Sequence, residues 1–106
     1  MSARPPALVL VHAVWATVQR KPTLPASIDE RLRATLGDKA ADLGCTMLAA
    51  GSARDHVHVV VRLRPSVPLS LLVQRMKGGS AFDLNRHLAL PRRIAWQVGY
   101  WAESIG

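Results

Sequence analysis

Two histidines separated by one residue, His56 and His58, are the side chains of this sequence best suited to chemistry. Side chains alternate between the two faces of a β-strand, so both imidazoles would project from one face, about 6.5 to 7 Å apart along the strand. Two imidazoles at that spacing can reach one divalent ion. With a third ligand from elsewhere they would form a site for Mg²⁺, Mn²⁺ or a similar ion that polarises a phosphate oxygen.

The rest of this predicted strand, residues 56–64, supports the same interpretation. Arg62 and Arg64 continue the face that carries the histidines, whereas the alternate positions are aliphatic and should pack in the core. Those core positions are Val57, Val59, Val61 and Leu63. The alternative is a pair of solvated surface histidines, which the pattern alone does not exclude.

Three further titratable residues are candidates for roles at this site. His12 lies in the first predicted strand and would reach the open face only if that strand neighbours residues 56–64, so a structural role is favoured. Asp55 should point to the opposite face of a regular strand, which favours a turn residue or an orienter of a ligand. His87, near the end of a predicted helix, is interpreted as a surface residue or a partner of the helix dipole.

A second unusual segment is Lys77, Gly78, Gly79 and Ser80, which falls inside a predicted helix. Each glycine costs about 1 kcal/mol relative to alanine in a helix. One explanation is a nucleic-acid contact, in which the missing side chains admit a DNA backbone while Arg75 and Lys77 meet phosphates. A helix break or tight packing against the sheet explains the glycines equally well.

Two tryptophans, Trp96 and Trp101, offer aromatic surfaces on which bases stack, although core packing is the favoured role in a small domain.

Composition points to one small domain with a polyanionic partner. The chain has 106 residues, and 14 Lys and Arg against 7 Asp and Glu give a formal net charge of +7. Such an excess favours binding to phosphates through the release of counterions. No apolar run approaches the length of a membrane span, no signal peptide is read at the start, and the single cysteine, Cys45, fits a reducing cytoplasm.

Periodicity predicts the order of elements. A capping box at Ser27 and Glu30 should begin the first helix, Gly44 should end it, and Ser66 should cap the second helix, which reaches about residue 88. Strands are predicted at residues 7–18, 45–50, 56–64, 94–98 and 100–105, with a turn at 51–54 and an interruption at Gly99. This β-α-β-β-α-β order with a terminal strand predicts an α+β, ferredoxin-like (split βαβ) fold, in which both helices cover one face of an antiparallel sheet.

Four segments in this order resemble the IS200/IS605-type, single-tyrosine HUH transposases, including the REP-associated group. The segments are HAVWAT at 12–17, DHVHVVV at 55–61, KGGS at 77–80 and WQVGY at 96–100. They look like the family's first strand, its metal strand, its DNA-contacting helix and its Trp-Gln-x-Gly-Tyr segment. Together they extend over most of the chain.

The resemblance implies a homodimer that recognises a single-stranded DNA hairpin and cuts a nearby phosphodiester during DNA transposition. A metal ion, Mg²⁺ or Mn²⁺, would polarise the scissile phosphate. A tyrosine hydroxyl would attack it, forming a 5′-phosphotyrosine and freeing a 3′ hydroxyl.

The departure from the family concerns the nucleophile. In the family, the nucleophilic tyrosine and a third metal ligand lie on a further helix after the Gly-Tyr strand, whereas this chain ends at Gly106. Tyr100, the only tyrosine, and Gln97 match the strand motif instead. Residues 1–106 are therefore expected to be one domain without that catalytic helix, and no catalytic residue is assigned.

Two other functions stay open from the sequence. A metal-independent nucleic-acid module would use the open sheet face, as RNA-recognition domains do, although Phe82 and Tyr100 are the only phenyl rings. A ferredoxin-like dimerisation domain would leave the basic excess without a role.

Overall fold

The first strand, β1 (Val9–Ala16), opens the part of the chain that the structure, a computed structural model, describes: residues 9–105. The predicted strand at 7–18 was too long. Its residues 7 and 8 lie outside the described residues, and Val18 begins a 3₁₀ turn, Val18–Arg20. Gln19 and Arg20 have φ values of 55° and 51°, which a strand cannot accommodate.

One antiparallel sheet contains β1 and three further strands. These are β2 (Thr46–Ser52), β3 (His56–Leu63) and β4 (Trp101–Ile105), in the spatial order β2-β3-β1-β4. Every neighbouring pair is antiparallel. This order confirms the predicted ferredoxin-like arrangement, with the terminal strand serving as the fourth strand of the sheet.

The extra strand predicted at 94–98 is wrong. Its one ladder contact is an isolated bridge between Trp96 and Thr17. The side chain of Asn85 explains why: its Nδ2 donates to the Ile94 carbonyl and its Oδ1 accepts from the Ile94 N–H, both at 2.8 Å. With its N–H engaged by this amide, Ile94 has no donor left for a strand neighbour, and among residues 9–105 the hydrogen bonds to the end of β1 are limited to Ala95 and Gln97.

Two helices, α1 (Asp29–Asp42) and α2 (Leu69–His87), complete the fold. Neither predicted serine cap forms. Ser27 lies inside a 3₁₀ turn, Ala26–Ile28, that leads into α1, and α2 begins after Pro68, two residues beyond Ser66. The end of α1 was predicted correctly, because Gly44 has a φ of 74° and its N–H donates to the Ala41 carbonyl at 2.9 Å.

Both helices pack on the same face of the sheet. The buried cluster joins one side of the two central strands to apolar residues of α1 and α2. From the strands it takes Val11, Ala13, Trp15, Val57, Val59 and Val61, and from the helices Leu32, Leu36, Leu72, Val73, Met76 and Leu84. The opposite face of the sheet is left open. In the described part of the chain, neither helix is long and apolar enough to cross a membrane.

The two helices approach each other closely at Gly79. A Cβ atom on Gly79 would lie 2.6 Å from Cε of Lys39 on α1, whereas a Cβ on Gly78 would meet nothing within 4 Å. The helix continues through both glycines without a break. Tight packing therefore accounts for Gly79, but between helices rather than against the sheet, and it does not account for Gly78.

Candidate functional site on the open face of the sheet

Three histidines meet on the open face of the sheet. In the register of β1 and β3, His12 is opposite Val60 and Val14 is opposite His58, so His12 and His58 are diagonal neighbours on one face. His12 Nε2 lies 3.1 Å from His58 Nδ1, and the two ring planes are nearly parallel, with centroids 5.3 Å apart. The ring of His56 follows along β3, with its centroid 4.9 Å from that of His58.

Asp55 holds the first histidine of the pair. Its Oδ1 lies 2.7 Å from His56 Nδ1, and its Oδ2 accepts a hydrogen bond from Nε of Arg20 at 3.2 Å. The hydrogen bond from His56 lowers the pKa of the Asp55 carboxyl, and the charge of Arg20 lowers this pKa further. An ionised carboxylate can only accept, so Nδ1 of His56 carries the proton and Nε2 is left with a lone pair in the neutral ring.

The surroundings of His58 favour its neutral form. Burial lowers the pKa of its imidazole below the ordinary value, and the charges of His56 and His12 lower it further. The neutral ring is the form that binds a metal ion, because a protonated imidazole has no free lone pair. Its Nδ1 is engaged by His12, so Nε2 is the nitrogen available to a ligand.

These contacts fit a divalent ion held by His56 and His58. Metal-bound histidines ordinarily use one ring nitrogen for the ion and the other for a hydrogen bond to a carboxylate or another acceptor, and both residues have that second contact. Within residues 9–105, no cluster of three or more His, Cys, Asp and Glu side chains is arranged around one possible ion. The two imidazoles would therefore supply part of a coordination shell.

The edge strand β4 borders the histidines. Glu103 is opposite His12 in the register, and its Oε1 lies 3.8 Å from His12 Nδ1. Trp101 packs edge-on against the His12 ring, with centroids 5.5 Å apart, and is 52% exposed. Trp101 is thus available for stacking, whereas Trp96 belongs to the interior, where it packs against Trp15.

The two arginines predicted for this face separate. Arg62 is exposed on it, opposite Leu10 of β1. Arg64 is also exposed and lies one residue beyond the end of β3 at Leu63. The Arg64 guanidinium instead packs over Gly44, where a Cβ atom would lie 2.9 Å from Nη1.

The predicted nucleic-acid residues of α2 lie on the helical side of the molecule, away from the histidines, and differ among themselves. Arg75 and Gly78 are exposed. Nζ of Lys77 donates to the Gln97 carbonyl at 2.7 Å and to the Gly99 carbonyl at 3.0 Å, and burial lowers the pKa of this ammonium. Lys77 therefore ties α2 to the segment that leads into β4.

Ser80 contributes to packing. Its side chain is fully buried, and its hydroxyl accepts a hydrogen bond from Trp96 Nε1 at 3.1 Å and donates to the Lys77 carbonyl. A side chain in that position has no surface to offer a ligand. The prediction that Ser80 contacts DNA is thus contradicted by its burial.

A groove of about 560 Å³ runs between α2 and residues 96–100. Gly78 and Gln74 line one side, and Gln97 and Tyr100 line the other. Val98, which also borders the groove, is 99% exposed. The groove combines amide groups with an aromatic ring and an open glycine, a lining suited to flat polar groups such as nucleobases.

Sequence reasoning undervalued two residues of the site. His12 was assigned a structural role, and Glu103 was not considered. The alternation of side chains within each strand predicts which face each residue occupies. It does not predict that the two residues lie beside His58, because that depends on the strand order β3-β1-β4.

Comparisons with known proteins show the family and the fold of this chain. The family model described as "Transposase IS200 like" matches residues 7–106. The chain is similar in structure to a protein from Deinococcus radiodurans R1, provisionally described as a transposase, with a TM-score of 0.82 and 24% identity over 100% of this chain and 85% of that one. It is also similar to a REP-associated tyrosine transposase bound to a REP hairpin, with a TM-score of 0.68 and 17% identity over 100% of this chain and 63% of that one.

At these identities the two structures show a shared fold, and the chain spans less than two thirds of the second protein's length. No protein of curated function is significantly similar in sequence.

Proposed function

Because the chain belongs to the family of IS200-like transposases, we propose that it binds single-stranded DNA hairpins and a divalent metal ion, Mg²⁺ or Mn²⁺, during DNA transposition. The observation that carries this proposal is the pair His56 and His58 on the open face of the sheet, in which each Nδ1 is already engaged, so that Nε2 is the remaining ring nitrogen of each.

In this proposal, His56 and His58 hold the ion, and Asp55 fixes the ring of His56 through the contact at 2.7 Å. The bound ion would act as a Lewis acid on a phosphate oxygen. Arg62, exposed on the same face, would neutralise a neighbouring phosphate. A net charge of +7 supports this assignment, since a polyanion gains affinity at a basic surface by releasing its counterions.

A hairpin substrate is proposed by analogy with the REP-associated transposase, which is bound to a REP hairpin. Arg75 supplies an exposed charge on α2, and the groove at Gly78 lies next to it along the helix. We assign phosphate contacts to Arg75 and unpaired bases to the groove. Lys77 supports this surface from within, through the carbonyls of Gln97 and Gly99, whereas Gly79 lies at the contact between α2 and α1.

We assign no nucleophile within this domain of residues 1–106. Tyr100 lines the groove beside α2 and matches the family's strand motif rather than its nucleophile. The family's catalytic helix would supply the tyrosine and a further metal ligand. We also propose a homodimer, supported by the exposed Trp101 and Ile105 on the edge strand β4, and a cytoplasmic location, supported by the free Cys45.

Binding of fluorescent DNA tests the proposal. We expect hairpin DNA with a single-stranded flank to bind more tightly than a duplex of the same length, with an affinity that falls steeply as salt rises. Arg62→Ala should weaken binding, whereas Arg33→Ala, which removes a charge from α1, is the matched control. Equal affinity for hairpin and duplex, or binding insensitive to salt, would contradict the proposal.

Incubation with hairpin DNA and Mn²⁺ tests the assignment of the nucleophile. We expect no covalent protein–DNA adduct from these 106 residues. An adduct that maps to Tyr100 and disappears in Tyr100→Phe would contradict that assignment.

A further inference from the structure

We infer that Glu103, acting through His12, sets the tautomer of His58 and thereby leaves His58 Nε2 free to bind the metal ion. The inference rests on the proposed metal site for its consequence, but the chain of contacts from Glu103 to His58 can be tested without any metal. Glu103 and His12 are positioning residues in this scheme, since neither is proposed to touch the ion.

The direction of the hydrogen bond between the two histidines is the first step. His12 Nε2 and His58 Nδ1 are 3.1 Å apart, so one nitrogen carries a proton and the other accepts it. If His12 donates, the neutral His58 ring carries its single proton on Nε2 and has no lone pair there for a metal. If His58 donates, its Nε2 is unprotonated and can act as a ligand.

Glu103 selects between these two arrangements. Its Oε1 lies 3.8 Å from His12 Nδ1, and an ionised carboxylate favours a proton on the nitrogen that faces it. A neutral His12 with its proton on Nδ1 has an acceptor at Nε2. The bond at 3.1 Å must then be donated by His58 Nδ1.

Packing keeps the three groups in this order. Glu103 is opposite His12 in the pairing of β1 with β4, and His12 is the diagonal neighbour of His58 in the pairing of β1 with β3. The His12 ring is nearly parallel to the His58 ring, at an interplanar angle of 11°, and makes a T-shaped contact with the ring of Trp101. The ring therefore presents one nitrogen to Glu103 and the other to His58.

The contacts from Glu103 through His12 orient His58 as Asp55 orients His56. His56 donates from Nδ1 directly to the carboxylate of Asp55, whereas His58 donates from Nδ1 to an imidazole that a second carboxylate orients. Support of this kind from outside the coordination shell fixes the tautomer and orientation of a metal-bound histidine. The longer contact and the 58% exposure of the Glu103 side chain predict a smaller effect for Glu103 than for His12.

Nitrogen-15 NMR of the imidazoles, without metal and at about pH 8, tests the chain of contacts from Glu103 to His58 directly. We expect His58 of the wild type to carry its proton mainly on Nδ1. Glu103→Gln and His12→Phe should both shift this proton toward Nε2. Glu30→Gln, which removes the same charge from α1, should leave the tautomer unchanged.

A His58 ring with its proton on Nε2 in the wild type would overturn the inference, as would a tautomer that neither variant changes. Since Glu103 is exposed on an edge strand, Glu103→Gln decides the matter even if His12→Phe does not fold.

Titration with Mn²⁺ alone tests whether the tautomer of His58 affects the affinity for the metal ion. We expect the dissociation constant to rise about tenfold in His12→Phe, at the lower end of the effect of such supporting residues, and by a smaller factor in Glu103→Gln. Unchanged affinity in both variants, with normal binding by the wild type, would contradict the inference. If the wild type binds no Mn²⁺, the proposed metal site fails instead, and the tautomer measurement still decides whether Glu103 controls His58.

Discussion

Asp55 Oδ1 lies 2.7 Å from His56 Nδ1, although strict alternation along a strand would turn adjacent side chains to opposite faces. The contact is possible because β3 begins at His56, so Asp55 belongs to the preceding turn and is free of the strand's alternation. Its backbone carbonyl accepts hydrogen bonds from the N–H and hydroxyl of Thr17, which fixes the turn against the end of β1.

Asp55→Asn should therefore weaken metal binding while the fold remains. An amide accepts more weakly than a carboxylate, so His56 loses part of what fixes its tautomer, and we expect the Mn²⁺ dissociation constant to rise about tenfold. Isothermal titration calorimetry measures this change. Asp38→Asn, an equal charge change on the exposed side of α1, should bind like the wild type; a similar loss in both variants would indicate a general charge effect.

Substitution of the two adjacent glycines separates helix stability from DNA binding. Gly78→Ala places a methyl group in open space, so it should raise the free energy of unfolding by about 1 kcal/mol, the difference in helix propensity. The same methyl group narrows the groove and should weaken hairpin binding. Denaturant unfolding and fluorescence anisotropy measure the two effects.

Gly79→Ala is the matched control for this substitution. Its methyl group would displace the Lys39 side chain, which cancels part of the gain in helix propensity, while the groove is unaffected. Equal hairpin binding by Gly78→Ala and the wild type would contradict the assignment of the groove.

The salt dependence of DNA binding distinguishes Lys77 from Arg75. A residue that contacts one phosphate contributes about one unit to the slope of log K against log salt. Arg75→Ala should reduce the slope by that amount. Lys77→Met should leave the slope unchanged and increase the backbone mobility of residues 97–100, because it removes the two hydrogen bonds to Gln97 and Gly99. A reduced slope in Lys77→Met would show that its ammonium meets a phosphate.

The contact between α1 and α2 should make stability depend on pH through Asp83. Its carboxylate accepts hydrogen bonds from Arg31 at 2.9 and 3.1 Å and from Thr35 at 3.1 Å. The hydrogen bonds from Arg31 lower the pKa of the Asp83 carboxyl, and the one from Thr35 lowers it further. A lowered pKa in the folded state contributes stability above the ordinary value of 3.8, and this stability is lost as the pH falls through the lowered value.

Asp83→Asn should accordingly lower the melting temperature at pH 7, and the difference from the wild type should shrink as the pH falls below about 4. Thermal unfolding followed by circular dichroism between acidic and neutral pH measures the difference in melting temperature and its dependence on pH. A difference that stays constant over this range would contradict the role of the Asp83 charge.

The sequence predicted those features that depend on local alternation or helical spacing. Residues 56–63 alternate cleanly, so the faces of His56, His58 and Arg62 followed directly. One failure arose where a distant side chain engages the backbone. Asn85 bonds to both backbone groups of Ile94, and the strand predicted at 94–98 is reduced to an isolated bridge at Trp96.

The contact of His12 with His58 spans 46 positions of sequence and depends on the register of β1 with β3. Alternation within one strand cannot supply a register between two strands, since that register is fixed by the packing of both against α1 and α2. This explains why the shared face of His56 and His58 could be predicted from the sequence, while the positions of His12 and Glu103 beside them could not.

Titration with Mn²⁺ of the wild type and of the double variant His56→Ala, His58→Ala tests the central assignment most directly. We expect one Mn²⁺ to bind each wild-type chain and the double variant to lose this binding, while His87→Ala, which removes an imidazole from the end of α2, binds like the wild type. Equal binding by the wild type and the double variant would remove the metal site from the open face of the sheet.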